Sequence, residues 1–335
     1  MTDQRNIRIA FLGGGSMNFG WQFISELAGE ELLGGTVLLY DTDKQLALTN
    51  EVIGNKLREH PANKSNFIYL TVDKIEEALR NADFVIISIT QGTIEEMVSD
   101  IHLPEMYGIY QSSGESTGPS GIMRAIRMLP QYIEFAEKIK EICPDAWVIN
   151  LSNPMAVCMD VLYKTFPKIK AVGCSNEPLY SQELIADFVS QETDGKPISR
   201  REIKTNLVGI NSFSWFTEAA YQGEDVMGIF KKNTEKYSLS GYEKHPGEYK
   251  SNPFASANMI KFDMFLRYGA IAAASDRNIA DFCPPWYEKT PKIASAWKLG
   301  MISVNYLKKR RNERLLRSKK LMTGEEYLKV GSSKN

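Results

Sequence analysis

The sequence predicts an α/β protein with a parallel, doubly wound sheet of the Rossmann type and a second, α+β domain after it. Three observations support this prediction. Short apolar segments rich in β-branched residues alternate with amphipathic segments of helical spacing, and a glycine-rich stretch follows the first apolar segment. Strands buried on both faces have such continuous apolar runs, and the alternation of strands and helices is typical of a parallel sheet.

The elements follow one another in order along the first half of the chain. The strand pattern occurs in six segments: residues 7–13, 36–41, 67–72, 82–90, 146–152 and 169–172. The helical pattern occurs in residues 43–60 and 122–142. Beyond about residue 178 the pattern loosens. There, residues 204–221 predict one or two strands, residues 257–270 predict a helix, and residues 304–322 predict a basic helix with a solvated face.

Composition narrows the classes of protein to consider. The 335 residues are 43% hydrophobic and 24% charged, and 40 Lys and Arg balance 41 Asp and Glu to a net charge of -1. Such a balance gives no reason to expect nucleic acid or an anionic membrane as partner. The four cysteines do not form a CxxC pair, and no apolar run is long enough to span a bilayer. We therefore expect a cytoplasmic protein with reduced thiols.

The glycine-rich stretch predicts a phosphate-binding turn. Gly13 and Gly15 occupy the first two glycine positions of the GxGxxG pattern, and Asn18 replaces the third. Glycines let the backbone approach a pyrophosphate, and the helix that follows directs its N–H groups at the anion. Ser16 either caps that helix or bonds a phosphate oxygen. A glycine-rich turn that binds no ligand stays the alternative.

The second strand ends at Asp41, where a dinucleotide-binding fold places the carboxylate that binds a ribose. A carboxylate at this place favours NAD and disfavours the extra phosphate of NADP. Residues 88–92, after the fourth strand, would flank the nicotinamide ribose. We predict an NAD-binding domain at residues 1–175 and a substrate or C-terminal domain at residues 176–335. The predicted cofactor-binding residues are Gly13, Gly14, Gly15, Ser16, Met17, Asp41, Ser88, Thr90, Gln91 and Asn150.

Eight segments in order resemble glycoside hydrolase family 4, the NAD-dependent glycosidases. They are FLGGGS, YDTD, VIISITQGT, HLPEMYGIYQSSGESTGPSGIMRAIR, NLSNPMAV, GCSNEP, GINSFSWF and GAIAAASDRNIADF. Within the family the likeness is closest to the bacterial α-galacturonidases. The resemblance implies a fold like that of lactate and malate dehydrogenases, a sugar or uronic acid glycoside as substrate, and a homo-oligomer, either a dimer or a tetramer. Members of the family continue beyond the basic helix, so the second domain is expected to be incomplete, either because the fold is trimmed or because the sequence is a fragment. A missing layer would expose the apolar faces of residues 206–216.

The resemblance also implies a mechanism. NAD+ removes hydride from C3 of the sugar, and the resulting ketone acidifies the proton on C2. A base removes that proton, the aglycone leaves from C1, water adds, and NADH returns the hydride. In the family a divalent metal, usually manganese, binds the oxygens on C2 and C3 through a protein Cys and a protein His.

This chain departs from the family at the metal. The ligand Cys falls at Ser175 and the ligand His falls at Ser212, while a further family histidine falls at Asn278. Neutral hydroxyls are poor ligands for a transition metal. Cys174 lies one residue away, on the opposite face of a strand, and we expect a buried core thiol there. We therefore assign no metal ligand with confidence and expect weak or no activity by the usual metal-dependent route.

The resemblance carries over a set of polar residues that would bind and convert the sugar. The predicted catalytic residues are Asp276, Asn153 and Asn176, and the predicted substrate residues are Asn153, Asn211, Arg277, Asn278, Glu115 and Arg124. Structural alternatives stay open for several of them. Asp276 could cap a helix or pair with Arg277, Asn153 could belong to a plain turn, and Glu115 could supply helix N-terminal charge.

Three functions remain open at this point. The first is an NAD-dependent glycosidase like the α-galacturonidases, which hydrolyses O-glycosyl bonds. The second is a degenerate relative that binds NAD and a sugar without turnover. The third is an NAD-dependent oxidoreductase acting on a CH–OH group of a sugar acid, and this one would favour a general acid–base histidine that the sequence does not place at a strand end.

Overall fold

The structure is a computed structural model that describes residues 4–193, 195–301 and 303–331. These residues fall into two compact units. Unit 1 comprises residues 4–91, 126–174 and 305–331, and unit 2 comprises residues 92–125 and 175–304 apart from 194 and 302. The predicted domain boundary after residue 175 stays a prediction. One junction between the units, after residue 174, lies next to this boundary. However, unit 1 also includes residues 305–331, and unit 2 also includes residues 92–125.

The first twelve elements run from the N-terminus to the end of the large sheet. They are β1 (Arg5–Leu12), α1 (Phe19–Ala28), β2 (Leu33–Tyr40), α2 (Lys44–Arg58), β3 (Ile68–Thr71), α3 (Ile75–Leu79), β4 (Phe84–Ile87), α4 (Ile94–Glu105), α5 (Gly118–Ile142), β5 (Trp147–Asn150), α6 (Met155–Thr165) and β6 (Lys170–Gly173). Every strand predicted in this half is present. The predicted helix at 43–60 is α2, whose N-cap Asp43 accepts a hydrogen bond from the backbone of Leu46.

Unit 1 is built on a parallel sheet with the strand order β3-β2-β1-β4-β5-β6. This is the order of a doubly wound dinucleotide-binding fold, and it confirms the predicted fold class. Alternate residues of β1 enter different cores: Ala10 and Leu12 pack into one cluster, and Ile9 and Phe11 pack into the other. Because both faces of the sheet are covered, its central strands are continuously apolar.

The remaining elements follow the sixth strand, β6. They are α7 (Glu177–Glu192), β7 (Ile203–Ile210), β8 (Phe213–Tyr221), β9 (Glu224–Asp225), α8 (Met227–Tyr237), α9 (Met259–Tyr268), β10 (Ile271–Ala272), α10 (Asp276–Ala280), α11 (Pro284–Tyr287), α12 (Pro291–Ala296) and α13 (Val304–Thr323). Strands β7, β8 and β10 form an antiparallel sheet in unit 2, and β9 pairs with β8.

The segment predicted as one or two strands is a two-stranded hairpin. Ile210 pairs with Phe213, so Asn211 and Ser212 form its two-residue turn. Asn211 has a φ of 51°, and asparagine tolerates the left-handed conformation that such turns require. β7 forms the edge of the sheet, where Leu207, Val208 and Ile210 are 48%, 45% and 62% exposed.

Two sequence expectations concern membranes and cysteines. Across the described ranges, no helix has the length and apolarity needed to cross a membrane. All four cysteines are free thiols, and Cys143 and Cys158 are buried as core residues. The expectation of a buried thiol at Cys174 is wrong, because this residue is exposed. It follows β6, the last strand in the order of the sheet, so no further strand covers it.

Candidate active site

The glycine-rich turn of unit 1 joins the ends of three strands. The N–H groups of Gly13 and Gly14 both donate to the carbonyl of Tyr40 at 2.9 Å. A Cβ on Gly13 would lie 2.1 Å from the carbonyl oxygen of Ser88, and its φ is +93°. A side chain is therefore excluded at Gly13 by both contact and conformation. The turn and the end of β4 touch, as expected of a loop that binds a dinucleotide.

Asp41 lies at the end of β2 and bonds the same turn. One carboxylate oxygen accepts the N–H of Gly15 at 2.9 Å, and the other accepts the N–H of Asp43 at 2.9 Å. Each carboxylate oxygen can accept more than one hydrogen bond, so acceptor capacity for a ribose hydroxyl is left. A Cβ on Gly15 would lie 2.9 Å from this carboxylate, so the glycine allows the approach of the two chain segments.

A buried asparagine that was not predicted from the sequence is hydrogen-bonded to the backbone of the glycine-rich turn. Asn50 on α2 is fully buried, and its amide nitrogen donates to the carbonyls of Gly14 at 2.7 Å and Ser16 at 3.0 Å. Its amide oxygen accepts the indole N–H of Trp21 at 2.9 Å. The signal was present in the sequence, because Asn50 lies on the apolar face of α2 together with Ala47, Ile53 and Leu57.

Helix α1 begins directly after this turn. Its N-cap is Asn18, and neither a side-chain cap nor an acidic residue occupies its first turn. The alternative that Ser16 caps the helix is therefore wrong, because the helix starts two residues later than that role requires. The open donors of α1, the glycines and Asp41 together form a cradle that fits the pyrophosphate and ribose of NAD.

The other predicted cofactor residues lie in the same unit. Ser88 is half-buried next to the glycine turn, Thr90 is exposed, and Gln91 donates to the side chain of Gln131 at 3.2 Å. Asn150 is fully buried, with both ends of its amide bonded inside the protein. Asn150 therefore belongs to the scaffold of the site and is not exposed to a cofactor. Met17 packs against an apolar core.

Unit 2 brings together segments that are far apart in the sequence. At the corner after β6, Asn176 is the N-cap of α7, and the Ser175 hydroxyl accepts the N–H of Glu177 at 3.3 Å. The Glu177 carboxylate accepts the N–H of Ser275 at 2.6 Å. The carbonyl of Ser214, just beyond the hairpin turn, accepts the N–H of Ala273 at 2.9 Å. The corner, the hairpin and the segment before Asp276 are thus neighbours.

Asp276, predicted as the catalytic base, is deeply buried at 2% exposure. Its carboxylate accepts the backbone N–H groups of Ile260 at 3.3 Å and Lys261 at 3.0 Å, in the first turn of α9. Burial raises the pKa of Asp276, and the nearby Lys261 opposes that rise. In this structure the carboxylate caps a helix, which is the alternative left open above, and a catalytic role for Asp276 stays a prediction.

Arg277 is also buried, at 5% exposure. Its guanidinium donates to the carbonyl of Ser112 at 2.9 Å and lies 4.3 Å from the centre of the Phe254 ring. Its Nε has no hydrogen-bond partner among the described residues. Arg277 is thus bonded to the loop at residues 111–114. A further contact of Arg277 with a sugar carboxylate stays a prediction.

The remaining predicted substrate residues are less enclosed. Asn153, Asn211, Asn278, Glu115 and Arg124 are all half-buried. Asn153 precedes a cis peptide bond to Pro154 in unit 1, and Asn211 lies in the hairpin turn of unit 2. Glu115 follows the loop that Arg277 anchors. Their contacts with a sugar remain predictions.

Ser175 and Ser212, predicted to occupy the positions of the family's metal ligands, do not fit a transition metal. Ser175 is exposed and Ser212 is half-buried, and both offer only neutral hydroxyls. Over the residues that the structure describes, no group of three or more His, Cys, Asp or Glu side chains could hold a metal ion. Cys174 is exposed, but partial burial of its sulfur raises the pKa of the thiol, so this group stays protonated at neutral pH. The donor set therefore does not replace the expected Cys and His.

Comparison with known proteins identifies the family. The profile described as family 4 glycosyl hydrolase matches residues 8–191, and the profile of the family 4 C-terminal domain matches residues 207–331. The α-galacturonidase of Thermoanaerobacter italicus is 50% identical over 328 residues, which are 98% of this chain and 71% of that protein. The chain belongs to glycosyl hydrolase family 4. The resemblance read from eight sequence segments is thereby confirmed.

Two solved structures share the fold of this family 4 glycosyl hydrolase. The Bacillus subtilis protein lplD, described as a glucosidase, is 40% identical with a TM-score of 0.91, covering 98% of this chain and 74% of that one. A 6-phospho-α-glucosidase from gut microorganisms, solved with NAD and Mn²⁺, is 18% identical with a TM-score of 0.74, covering 96% of this chain and 71% of that one. At that identity the second structure is similar in fold alone.

The role of Asp41 leads to a first prediction. We expect Asp41→Asn to weaken NAD binding about tenfold, or about 1.4 kcal/mol, because a neutral amide is a weaker acceptor for ribose hydroxyls than a carboxylate. The binding of NADP should weaken less, since the variant no longer repels the extra phosphate. Titration calorimetry with both nucleotides measures this. Asp73→Asn, on an exposed aspartate paired with Lys44, is the control and should leave both affinities unchanged.

Proposed function

We propose that this family 4 glycosyl hydrolase is an NAD-dependent glycosidase that acts on α-galacturonides. The observation that carries the proposal is the 50% identity to an α-galacturonidase over 98% of the chain. The cradle of Gly13, Gly15 and Asp41 supports NAD as the cofactor, and a family 4 enzyme of the same fold has been solved with NAD bound.

The protein's own residues would bind the cofactor and the sugar. NAD, when bound, supplies the hydride acceptor and donor for C3 of the sugar. The carboxylate of Asp41 binds the adenosine ribose, and the N–H groups of the glycine turn and α1 bind the pyrophosphate. Asn153, Asn176 and Asn211 contribute neutral donors that bind the sugar hydroxyls and stabilise negative charge developing at C2 and C3.

A second candidate is a degenerate relative that binds NAD and a uronic acid without turnover. The pair of serines at positions 175 and 212 favours it, because the loss of a Lewis acid removes several kcal/mol of transition-state stabilisation. The two candidates differ in whether the native chain releases an aglycone. An oxidoreductase acting on a free sugar acid is a third possibility, and the same assay measures it.

The test compares the native chain with Ser175→Cys/Ser212→His. Each protein is incubated with NAD+ and p-nitrophenyl α-D-galacturonide, with manganese or with a chelator. We expect slow, NAD-dependent release of p-nitrophenol from the native chain that the chelator does not abolish, and manganese-dependent release, at least tenfold faster, from the double variant. Ser175→Ala/Ser212→Ala is the matched control, because it changes the same positions without adding ligands.

The other outcomes separate the candidates. Chelator-resistant release by the native chain establishes a glycosidase that works without this metal and contradicts the degenerate relative. Accumulation of NADH from free galacturonate identifies an oxidoreductase. Manganese-dependent release that appears only in the double variant, or no release from either protein with NAD bound, favours the degenerate relative.

The place and assembly of the protein complete the proposal. We propose that it acts in the cytoplasm on a small-molecule glycoside, because its four cysteines are free thiols as expected in a reducing compartment. We also propose that it forms a homo-oligomer, either a dimer or a tetramer. Manganese is the metal that we propose for the Ser175→Cys/Ser212→His variant. We propose no nucleic-acid partner, because a net charge of -1 gives little attraction to a phosphate backbone.

A further inference from the structure

A buried hydrogen-bonded pair in unit 1 joins Tyr132 to Asn150, a predicted cofactor residue that the structure places in the scaffold. The hydroxyl of Tyr132 on α5 donates to the side-chain oxygen of Asn150 at the end of β5, at 2.5 Å. Both residues are fully buried. Burial raises the pKa of Tyr132 well above its ordinary value, so the hydroxyl keeps its proton at any working pH. A buried pair of this kind is costly to break, because water cannot replace the lost hydrogen bond.

The Asn150 side chain shapes the turn that follows β5. Its oxygen also accepts the N–H of Ser152 at 3.0 Å, and its nitrogen donates to the carbonyl of Ser152 at 3.2 Å and lies 3.1 Å from the sulfur of Met155. The amide thus closes the turn on itself. The turn leads directly into Asn153 and the start of α6, so its shape sets where Asn153 lies.

The same turn is bonded to the strands on either side. The Ser152 hydroxyl accepts the N–H of Ile89, just beyond β4, at 2.9 Å. The backbone carbonyl of Asn150 accepts the N–H of Cys174, just beyond β6, at 2.9 Å. The carboxyl ends of β4, β5 and β6 are therefore linked through Asn150 and Ser152. The hydroxyl of Tyr132 is bonded to the Asn150 side chain.

We propose that Tyr132 is a positioning residue that, through Asn150, holds the ends of β4, β5 and β6 in the arrangement required by the nicotinamide half of NAD. In doubly wound folds the ligand lies beyond the carboxyl ends of the strands, and the second half of the sheet holds the nicotinamide half of the dinucleotide. The adenosine half lies at the glycine turn and Asp41, which follow β1 and β2. The inference rests on the proposed use of NAD.

Two ligands separate positioning from general stability. NAD contains the nicotinamide and ADP-ribose lacks it, while both fill the cradle at the glycine turn. We expect Tyr132→Phe to weaken NAD binding about tenfold in titration calorimetry and to leave ADP-ribose binding within about twofold. Hydrogen exchange at the N–H of Ile89 should accelerate beyond the change in global unfolding. Equal weakening of both ligands, or no change in either, overturns the proposal.

The chain offers a matched control and a second variant. Tyr163 on α6 is 43% exposed, and its hydroxyl donates to the carbonyl of Ala171 at 2.6 Å, so Tyr163→Phe removes a tyrosine hydrogen bond elsewhere in the same unit. It should change neither ligand. If Tyr132→Phe does not fold, Ser152→Ala removes the acceptor of the Ile89 N–H and should selectively weaken NAD. A native chain that binds ADP-ribose and not NAD contradicts the proposed function, whatever the variants do.

Discussion

Replacing Lys261 with methionine lowers the free energy of unfolding by about 3 to 5 kcal/mol, the cost typical of removing one partner from a buried charged cluster. Lys261 is 1% exposed. Its ammonium donates to the hydroxyl of Ser181 at 2.7 Å and to the carbonyls of Ala272 and Ala274 at 2.6 Å each. Methionine has a similar volume and no donor, so all three acceptors would lose their partner, and Asp276 would lose its nearby cation. Urea denaturation monitored by tryptophan fluorescence measures the loss.

The control for this prediction is an exposed lysine of the same unit. Lys232 pairs with Glu192 at 2.7 Å, and its side chain is 69% exposed. Because solvent screens such pairs, Lys232→Met should change the free energy of unfolding by less than about 1 kcal/mol. Equal losses in the two variants would show that Lys261 acts only through its alkyl chain.

The pH dependence gives a second readout for Lys261. Burial lowers its pKa to about 8, from 10.5 for an ordinary lysine. Between these values the unfolded chain holds a proton that the folded chain has released, so the stability of the native protein rises with pH in this window. Lys261→Met should lack this rise, and the two stability curves should diverge above pH 8. Parallel curves would contradict the assignment.

The second large effect concerns an acid pair that holds a loop. Asp281 accepts the N–H groups of Ser113 at 3.2 Å and Gly114 at 2.7 Å, and Glu288 accepts the N–H of Ser112 at 3.2 Å. The hydroxyl of Ser112 also contacts Glu288. Burial first, and then the neighbouring Asp281, raise the pKa of Glu288 to about 9. Glu288 therefore holds a proton at neutral pH.

Because the pKa of Glu288 is raised in the folded protein, the free energy of unfolding depends on pH. The pKa of Glu288 is raised above the unfolded value of 4.5, so its contribution is fully present below pH 4.5 and is lost as pH rises through about 9. Glu288→Gln supplies a neutral amide at every pH. We expect the variant to gain stability relative to the native chain as pH rises from 5 to 9, by up to about 1.4 kcal/mol per pH unit. Thermal unfolding at a series of pH values measures it.

Two further variants control this experiment. Glu224→Gln changes an exposed glutamate on β9 and should keep the pH dependence of the native chain. Asp281→Asn removes the neighbouring charge, so the pKa of Glu288 should fall and the loss of stability should shift to lower pH. If the native chain and Glu288→Gln change in parallel, Glu288 is ionised in the folded protein at neutral pH.

Much of unit 1 could be predicted because its signals are local. The continuous apolar run of β1 arises from a strand covered on both faces, and it is visible without any tertiary information. Gly13 and Asp41 follow directly from the ends of strands. The helix at 43–60 was predictable from its spacing and from Asp43, which caps it as found. The role of Ser16 as a cap was wrong, because the position of a helix start depends on the conformation of the preceding turn. The burial expected for Cys174 was also wrong, because the residue is exposed after the last strand of the sheet.

The polar scaffold could not be predicted in the same way. Ser112 and Glu288 are 176 residues apart in sequence, and Lys261 and Ser181 are 80 residues apart. No local pattern indicates that such residues meet. Lys261 and Asn50 left a weak signal as polar residues on apolar helix faces, and Tyr132 left none. Asp276 was found through the family motif, but its burial depends on the packing of α9 against α10.

The sequence by itself determined the fold class, the family and the glycine-rich turn, and it led to the prediction that serine replaces both metal ligands. These follow from residue types and their spacing, which a single segment carries. The tertiary structure decided which polar residues are buried and bonded within the protein, such as Asn150, Asp276 and Arg277, and which stay partly open, such as Asn153 and Asn211. That division depends on which distant segments pack together, because a buried polar group is stable only where the fold brings it a partner.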